Sequence, residues 1–453
     1  MKDEGLGRRE FLRFAGAAAA LAVAGPNCGS GSGESKASAP GGGGRTLRIA
    51  QWSHFVPTYD VWFDNEFTKR WGEAHDVDVV VDHIPVNELV ARGDAEAAAG
   101  RGHDLFAFVT PRPALEDMVI DHREIVEEVA AKAGPLHPFV ERSVRNPRTG
   151  RYFGFSDFWT PGPVHYRVSL WDRVEPGLRP TTWETVLRAA GPLKALGHPI
   201  GLGYASEHDS GWTVGSLMHA FGASIQDEEG RVTVNTPAAV DAVKRGVALY
   251  RQGMTDEVFN WDGSSNNRLL ATGQASFIIN TLSALRATEK QDPALAADIA
   301  LAPPPTGPAG DVPRDQRLVN CYVIWKFAEQ PDLARRFLVD YTLAARESFV
   351  RSEFYGMPSF PGTIPDLSSI VANDAGARPA DKYGLLARAA SWMTNIGAPG
   401  SLNAAVDEAF NRFILPRMFA AAARGEKTPE QAVADADAEI RPIFDTWRER
   451  GKI

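Results

Sequence analysis

Cysteine is nearly missing from this chain: Cys28 and Cys321 are the two among 453 residues. A disulfide framework is therefore excluded, and the chain must hold itself together through its core. Long apolar runs are scarce as well. The one conspicuous stretch, Phe11 to Val23, falls short of the roughly 20 residues that cross a bilayer as a helix. Basic charge is in deficit, and a net charge of −9 repels phosphate backbones, so no nucleic-acid partner is expected. The sequence also lacks H-E-x-x-H, G-x-S-x-G, a P-loop and Cys/His zinc spacings. No metal, no cofactor and no enzymatic activity are expected. The remote alternative is an exported glycosidase, which needs only a pair of the many carboxylates present.

What is present begins with an address. Residues 8 to 28 read RREFLRFAGAAAALAVAGPNC, with Arg8 and Arg9 ahead of an Ala-rich middle and a small-residue exit. These are the three parts of an export signal, and the paired arginines resemble the twin-arginine pattern, which carries folded cargo. Two exits compete. Ala22-Val23-Ala24 fits cleavage that releases a soluble protein, whereas Cys28 can be lipidated as a new N-terminus. Asn27 and Gly25 make a poor lipobox, but the Gly/Ser-rich tract after Cys28 behaves as a flexible tether, useful when one end is fixed. Lipidation is the expected outcome, at the periplasmic or outer face of the cytoplasmic membrane. The expected division is a signal over 1–27 and a tether over 28–44.

From Arg45 to Ile453 the chain is too long for one ordinary core, so two lobes are expected. RTLRI predicts a first strand whose end carries Trp52, Ser53 and His54 into a loop. Trp62, Phe63, Phe67 and Trp71 then recur at helical spacing. DVDVVVDHIP, ELVARGDAEAAAG and HDLFAFVT follow as strand, helix and strand, the alternation of parallel βαβ units. In such sheets ligands bind beyond the carboxyl ends of the strands, which brings Trp52, Ser53 and His54 near the Thr110 to Arg112 loop. GRYFGFSDFW and PVHYRVSLWD predict strands, and TTWETVLRAAGPLKALG a helix capped by Thr181 or Thr182. Further helices are expected over VGSLMHAFGASI and PAAVDAVKRGVALYRQGM. Strands are expected at HPIGLGYA, SFIIN, ADIALAPPPT and VNCYVIWKF. After MPSFPGTIPDL the remainder reads as nearly all helical.

The order of these segments resembles the family 1 extracellular solute-binding proteins, the sugar receptors of bacterial ABC importers related to maltose-binding protein. GRYFGFSDFW with VHYRVSLWD is similar to that family's crossing segment and strand. PTTWETVLRAAGPLKALG resembles its P-x-T-W helix, LLATGQASFIIN its F-x-x-G-x-a-A-M-x-i-x-G motif, and RGEKTPEQAVADADAEI its closing helix. Asn280 stands where the family commonly has Gly, and Leu282 where many members carry a stacking Trp. His165-Tyr166-Arg167 replaces a usual Tyr-Tyr-Asn. The resemblance implies an α/β, two-lobed periplasmic-binding-protein fold (type II), each lobe a mainly parallel sheet flanked by helices, with the ligand cleft between them. Lobe 1 is expected over 45–163 plus 299–350, and lobe 2 over 164–298 plus 351–453. It implies a monomeric receptor that captures a mono- or oligosaccharide and delivers it to permease subunits; a polyamine or glycerophosphodiester is the alternative ligand.

A sugar receptor needs flat aromatic faces for C–H surfaces and carboxylates or amides for hydroxyls. Trp52, Trp159, Trp212, Trp261 and Trp392 all sit beside polar or small residues. Trp212 and Trp392 also match positions where relatives place stacking aromatics. Trp62, Trp71, Trp183 and Trp447 lie within helical patterns and are expected to pack. Asp157 and Asn280 are candidates for hydroxyl contacts, with Ser53, His54 and Tyr322. Arg112 is a candidate for bidentate contact with an acidic sugar. Asp262, Asn266 and Asn267 read as turn or cap residues.

Overall fold

Arg45–Trp52 forms the first strand of the computed structural model, which describes residues 44–453; the expected export signal, the expected tether and Cys28 lie outside the described residues. The last half of this strand is buried on both faces, as expected for an inner parallel strand. It pairs in parallel with Val77–Ile84, from Arg45 opposite Val77 to Trp52 opposite Ile84. On its other side lies Leu105–Phe108, also parallel, and beyond that Cys321–Ile324, antiparallel. Cys321 is a buried free thiol in this last strand. Burial raises its pKa, so it acts as a small apolar side chain.

The aromatic helix behaves as its spacing predicts. Trp62, Phe63, Phe67 and Trp71 are all buried, and Phe63, Phe67 and Trp71 meet Phe337 edge-on from helix Pro331–Leu343. Their helix is not uniform: a wider π-helical turn over Phe63–Phe67 joins Pro57–Trp62 to Thr68–His75.

A second four-stranded sheet runs in the order Ile200–Gly201, Phe277–Ile279, Val164–Arg167 and Ile299–Ala302. Only its first pairing is parallel; Val164–Arg167 is antiparallel to both neighbours, so this sheet is mixed rather than mainly parallel. Ile299–Ala302, placed with lobe 1 on the sequence, is hydrogen-bonded into this second sheet.

Two thin connections run beside the sheets. Phe158–Trp159 pairs antiparallel with Met357–Pro358, and Asp315–Gln316 pairs in parallel with Met393–Thr394. GRYFGFSDFW is therefore mostly irregular instead of a full strand, and VSLWD continues as helix Val168–Val174. Helix His208–Ala220 lies directly on the second connection: a Cβ on Gly215 would fall 1.3 Å from the Gln316 side-chain amide. Only glycine permits that approach.

Thr182 caps helix Trp183–Ala195, accepting from the Thr185 N–H at 3.1 Å. Between residues 359 and 403 there is less helix than expected, one α-helix over Leu367–Ala372 and two short 3-10 segments. Pro361, Pro365, Pro379 and Pro399 interrupt that stretch. Helices Ala404–Asn411, Ile414–Ala423 and Pro429–Glu449 complete the chain. Among the described residues no helix is long and apolar enough to cross a membrane.

Candidate functional site

The carboxyl ends of strands from both sheets open on one cleft of about 660 Å³. Such a position follows from the βαβ arrangement, in which loops leave the sheet on that edge. The first sheet contributes Ser53 and Phe55 after its first strand, Val86 and Asn87 after its second, and Val109 after Leu105–Phe108. The second contributes Ser206, Glu207, His208 and Asp209 beyond Ile200–Gly201, then Asn280, Thr281 and Ser283 beyond Phe277–Ile279. Trp212, the Trp261–Ser264 turn, Asn267, Leu318 and Tyr355 close the lining.

Glu207 caps helix His208–Ala220, its carboxylate accepting the N–H groups of Asp209 and Ser210. One turn on, Trp212 is packed by Phe410 and His208, with the Arg317 guanidinium 5.9 Å from its ring. Asp209 accepts from the Asn280 amide at 2.9 Å. The same Asn280 Nδ2 also faces Asn266 Oδ1 at 2.7 Å and Asn267 Oδ1 at 2.6 Å. One amide group has two protons for these three acceptors, so an acceptor is left over for an incoming hydroxyl.

Burial raises the pKa of Glu207, and the neighbouring Asp209 charge adds to it. Asp209 is raised by burial too, opposed in part by Arg317. Arg317 is itself fully buried, 3.5 Å from Asp315 and 3.9 Å from Asp209. Asp315 fixes the connection by accepting the Gly162 N–H at 2.7 Å and the Ser216 hydroxyl at 3.2 Å.

Of the residues singled out on the sequence, Ser53, Trp212, Trp261 and Asn280, with the turn or cap residues Asp262 and Asn267, come together in the cleft lining. The others stand behind it. Trp52 is fully buried, its indole N–H donating to Asn320 Oδ1 at 2.8 Å. Asn320 in turn donates to Asp157 at 2.8 Å, and burial lifts the Asp157 carboxyl to about 7. His54 stacks on Trp52 at 4.9 Å and accepts the Val56 N–H at 2.9 Å; burial drops it to about 3, so it is neutral. Tyr322 donates to Gln51 at 2.7 Å, and Trp159 to the Pro358 carbonyl at 3.1 Å. Arg112 is held between Asp407 at 3.1 Å and Asp94 at 3.2 Å, which leaves it no fork for an acidic sugar. Trp392 is buried next to the Met393–Thr394 pairing, outside the lining.

Asp262 is indeed a turn residue, accepting the Ser264 N–H at 2.9 Å and pairing with Arg268 at 3.1 Å, yet it also faces the cleft. Glu207, Asp209 and Tyr355 were not anticipated. The signal for the first two was the run SEHDSGW, in which acids and small polar residues precede a helix containing a Trp. Tyr355 had none: it is placed by a bend in which Glu353 and Phe354 take positive φ angles of 55° and 70°. Non-glycine residues adopt that region rarely, so the bend is fixed by its surroundings. Among the described residues no group of three or more His, Cys, Asp or Glu is placed to hold a metal ion.

A family model described as bacterial extracellular solute-binding protein matches residues 57–343 of the chain. A probable ABC transporter-binding protein of Deinococcus radiodurans is 27% identical over 169 residues, 36% of this chain and 40% of that relative. In three dimensions the chain is similar to a maltose-bound protein of T. maritima, MalE3, with TM-score 0.73 and 18% identity over 87% of this chain and 99% of that one. It is similar also to a sugar transporter from Arthrobacter chlorophenolicus with bound laminaribiose, with TM-score 0.73 and 17% identity over 88% and 99%. At such identities the likeness is one of fold.

Proposed function

We propose, from the premise that this chain belongs to the bacterial extracellular solute-binding proteins and has their two-lobed fold, that it is the carbohydrate receptor of an ABC importer. One observation carries the reading. Trp212, Trp261 and Tyr355 bring aromatic faces to the same cleft as the Asp209 carboxylate and the Asn280 amide. Aromatic rings cover the C–H faces of a sugar, and charged or amide acceptors select its hydroxyls. A volume of about 660 Å³ falls in the range of small-molecule sites. Maltose and laminaribiose, the ligands of the two similar structures, are the first solutes to test.

In this reading the lobes close about the two thin connections, and the closed form is selected because ligand touches both sides. The first lobe takes 45–163 and the return after Ile299–Ala302 as far as 350; that strand goes with the second lobe. The receptor is exported through the twin-arginine signal, anchored through Cys28, acts as a monomer and delivers its solute to permease subunits without altering it. Titration calorimetry of the mature chain against a saccharide panel tests the ligand class. Micromolar or tighter binding of a member, recovered chemically intact by mass spectrometry, is the expected result. Failure of every saccharide to bind, or turnover of a bound one, overturns the reading.

A further inference from the structure

We propose that the solute carries a protonated nitrogen: an amino-bearing saccharide whose ammonium is held by Glu207 and Asp209. This rests on the carbohydrate reading above and narrows it. The cleft lining contains three carboxylates, Glu207, Asp209 and Asp262, and no Lys or Arg. Asp262 is balanced by Arg268 at 3.1 Å. Behind the wall Arg317 is shared, 3.5 Å from Asp315 and 3.9 Å from Asp209. Glu207 makes no ion pair with a basic side chain among the described residues. His208 beside it is lowered by burial and faces Asn411, so it supplies no charge. One guanidinium thus stands against three buried or half-buried carboxylates, Asp315, Asp209 and Glu207.

Two further features shape a cationic sugar site instead of a bare acidic patch. A Cβ on Gly203 would lie 2.4 Å from Ser210 Oγ, 3.3 Å from Glu207 Oε1 and 3.4 Å from Trp261 Cε3, so the carboxylate and the indole ring flank the same glycine. An aromatic face attracts a cation as well as sugar C–H groups. Trp212, nine-tenths buried in the adjoining wall, has a buried indole N–H without a partner, a donor that a saccharide oxygen reaching it would satisfy. Glu207 accepts two backbone N–H bonds, which leaves carboxylate lone pairs for an ammonium. Burial raises the carboxyl pKa of both Glu207 and Asp209, and the Asp209 charge adds to the rise at Glu207. An ammonium would lower both and release protons on binding.

The test is calorimetry of the mature chain at pH 7 with matched pairs: glucosamine against glucose, galactosamine against galactose, and the β-1,4 glucosamine disaccharide against cellobiose. Hydrogen bonds to charged groups predict about 10- to 100-fold tighter binding for at least one amino member. Apparent enthalpies should shift between buffers of different ionisation heat, with the sign of proton release. In the double variant E207Q/D209N, with folding checked by circular dichroism, the amino-to-neutral affinity ratio should fall towards one. Equal or weaker binding of every amino member overturns the inference, and binding of the neutral partners then leaves the carbohydrate reading standing. Binding of spermidine but of no saccharide overturns both.

Discussion

The two sides of the cleft use polar chemistry in opposite ways. On the first-sheet side, Trp52, Asn320 and Asp157 are linked behind the surface, as are Tyr322 and Gln51, and what reaches the cleft is mostly apolar: Phe55, Val86 and Val109. On the second-sheet side, Glu207, Asp209 and Asn280 keep acceptors facing the opening beside Trp212 and Trp261. A polar group fully paired inside the protein has nothing left for a solute, while one left partly paired at a cleft wall favours whatever completes it. In the proposed receptor the second side therefore reads the ligand, and the first side closes over it.

The largest test removes the charge that supports the reading side. Arg317→Ala leaves Asp315 and Asp209 buried with no cation, and breaking a buried pair of this kind costs about 3–5 kcal/mol. Urea unfolding measures it; a loss below 1 kcal/mol would show that the guanidinium does not hold the wall together.

Asp157 tests the closed network of the other side. Its carboxyl is lifted by burial to about 7 from 3.8, with the Asn320 bond opposing part of the rise. A carboxyl that holds its proton more tightly when folded stabilises the fold fully below the unfolded pKa. That contribution is lost as pH rises towards about 7, by about 2–4 kcal/mol. Asp157→Asn should flatten this part of the pH–stability curve and leave solute affinity within about threefold, near 0.6 kcal/mol. A large affinity loss would move Asp157 to the reading side.

Trp261→Ala removes one aromatic face from the second wall and should weaken saccharide binding by about tenfold, near the 0.5–1.5 kcal/mol of an aromatic contact. Folding should be little affected, because Trp261 is only partly buried. The smallest effect is expected at Ser53→Ala on the first wall, under about threefold in Kd, for a hydroxyl worth at most one neutral hydrogen bond. If Ser53→Ala proves costlier than Trp261→Ala in the same calorimetry, the two sides have been assigned the wrong way round.

The first sheet and the aromatic helix were legible because periodicity and burial coincide there: the alternation from Leu47 to Ile49 and the Trp62, Phe63, Phe67, Trp71 face. The proline-interrupted stretch around residues 359–403 was not, since apolar content without helix continuity reads too easily as helix. In the site, Trp212 and Asn280 were found by motif, and Ser53 by its place after a strand. Trp52 was misplaced by a single residue of alternation: its strand is buried on both faces, so the cleft begins at Ser53. Arg112 looked free because Asp407, its partner, is 295 positions away in the chain.

The sequence by itself determined the first strand–helix–strand alternation, the aromatic helix, the lack of a disulfide framework and the polar–aromatic composition of the loops, because each is written in local spacing and composition. Only the tertiary structure decided which polar groups remain open to a solute. Hydrogen bonds such as Trp52 to Asn320 and Asn280 to Asp209 join residues far apart in the chain, and whether a donor is already paired is a property of the folded neighbourhood, not of the residue.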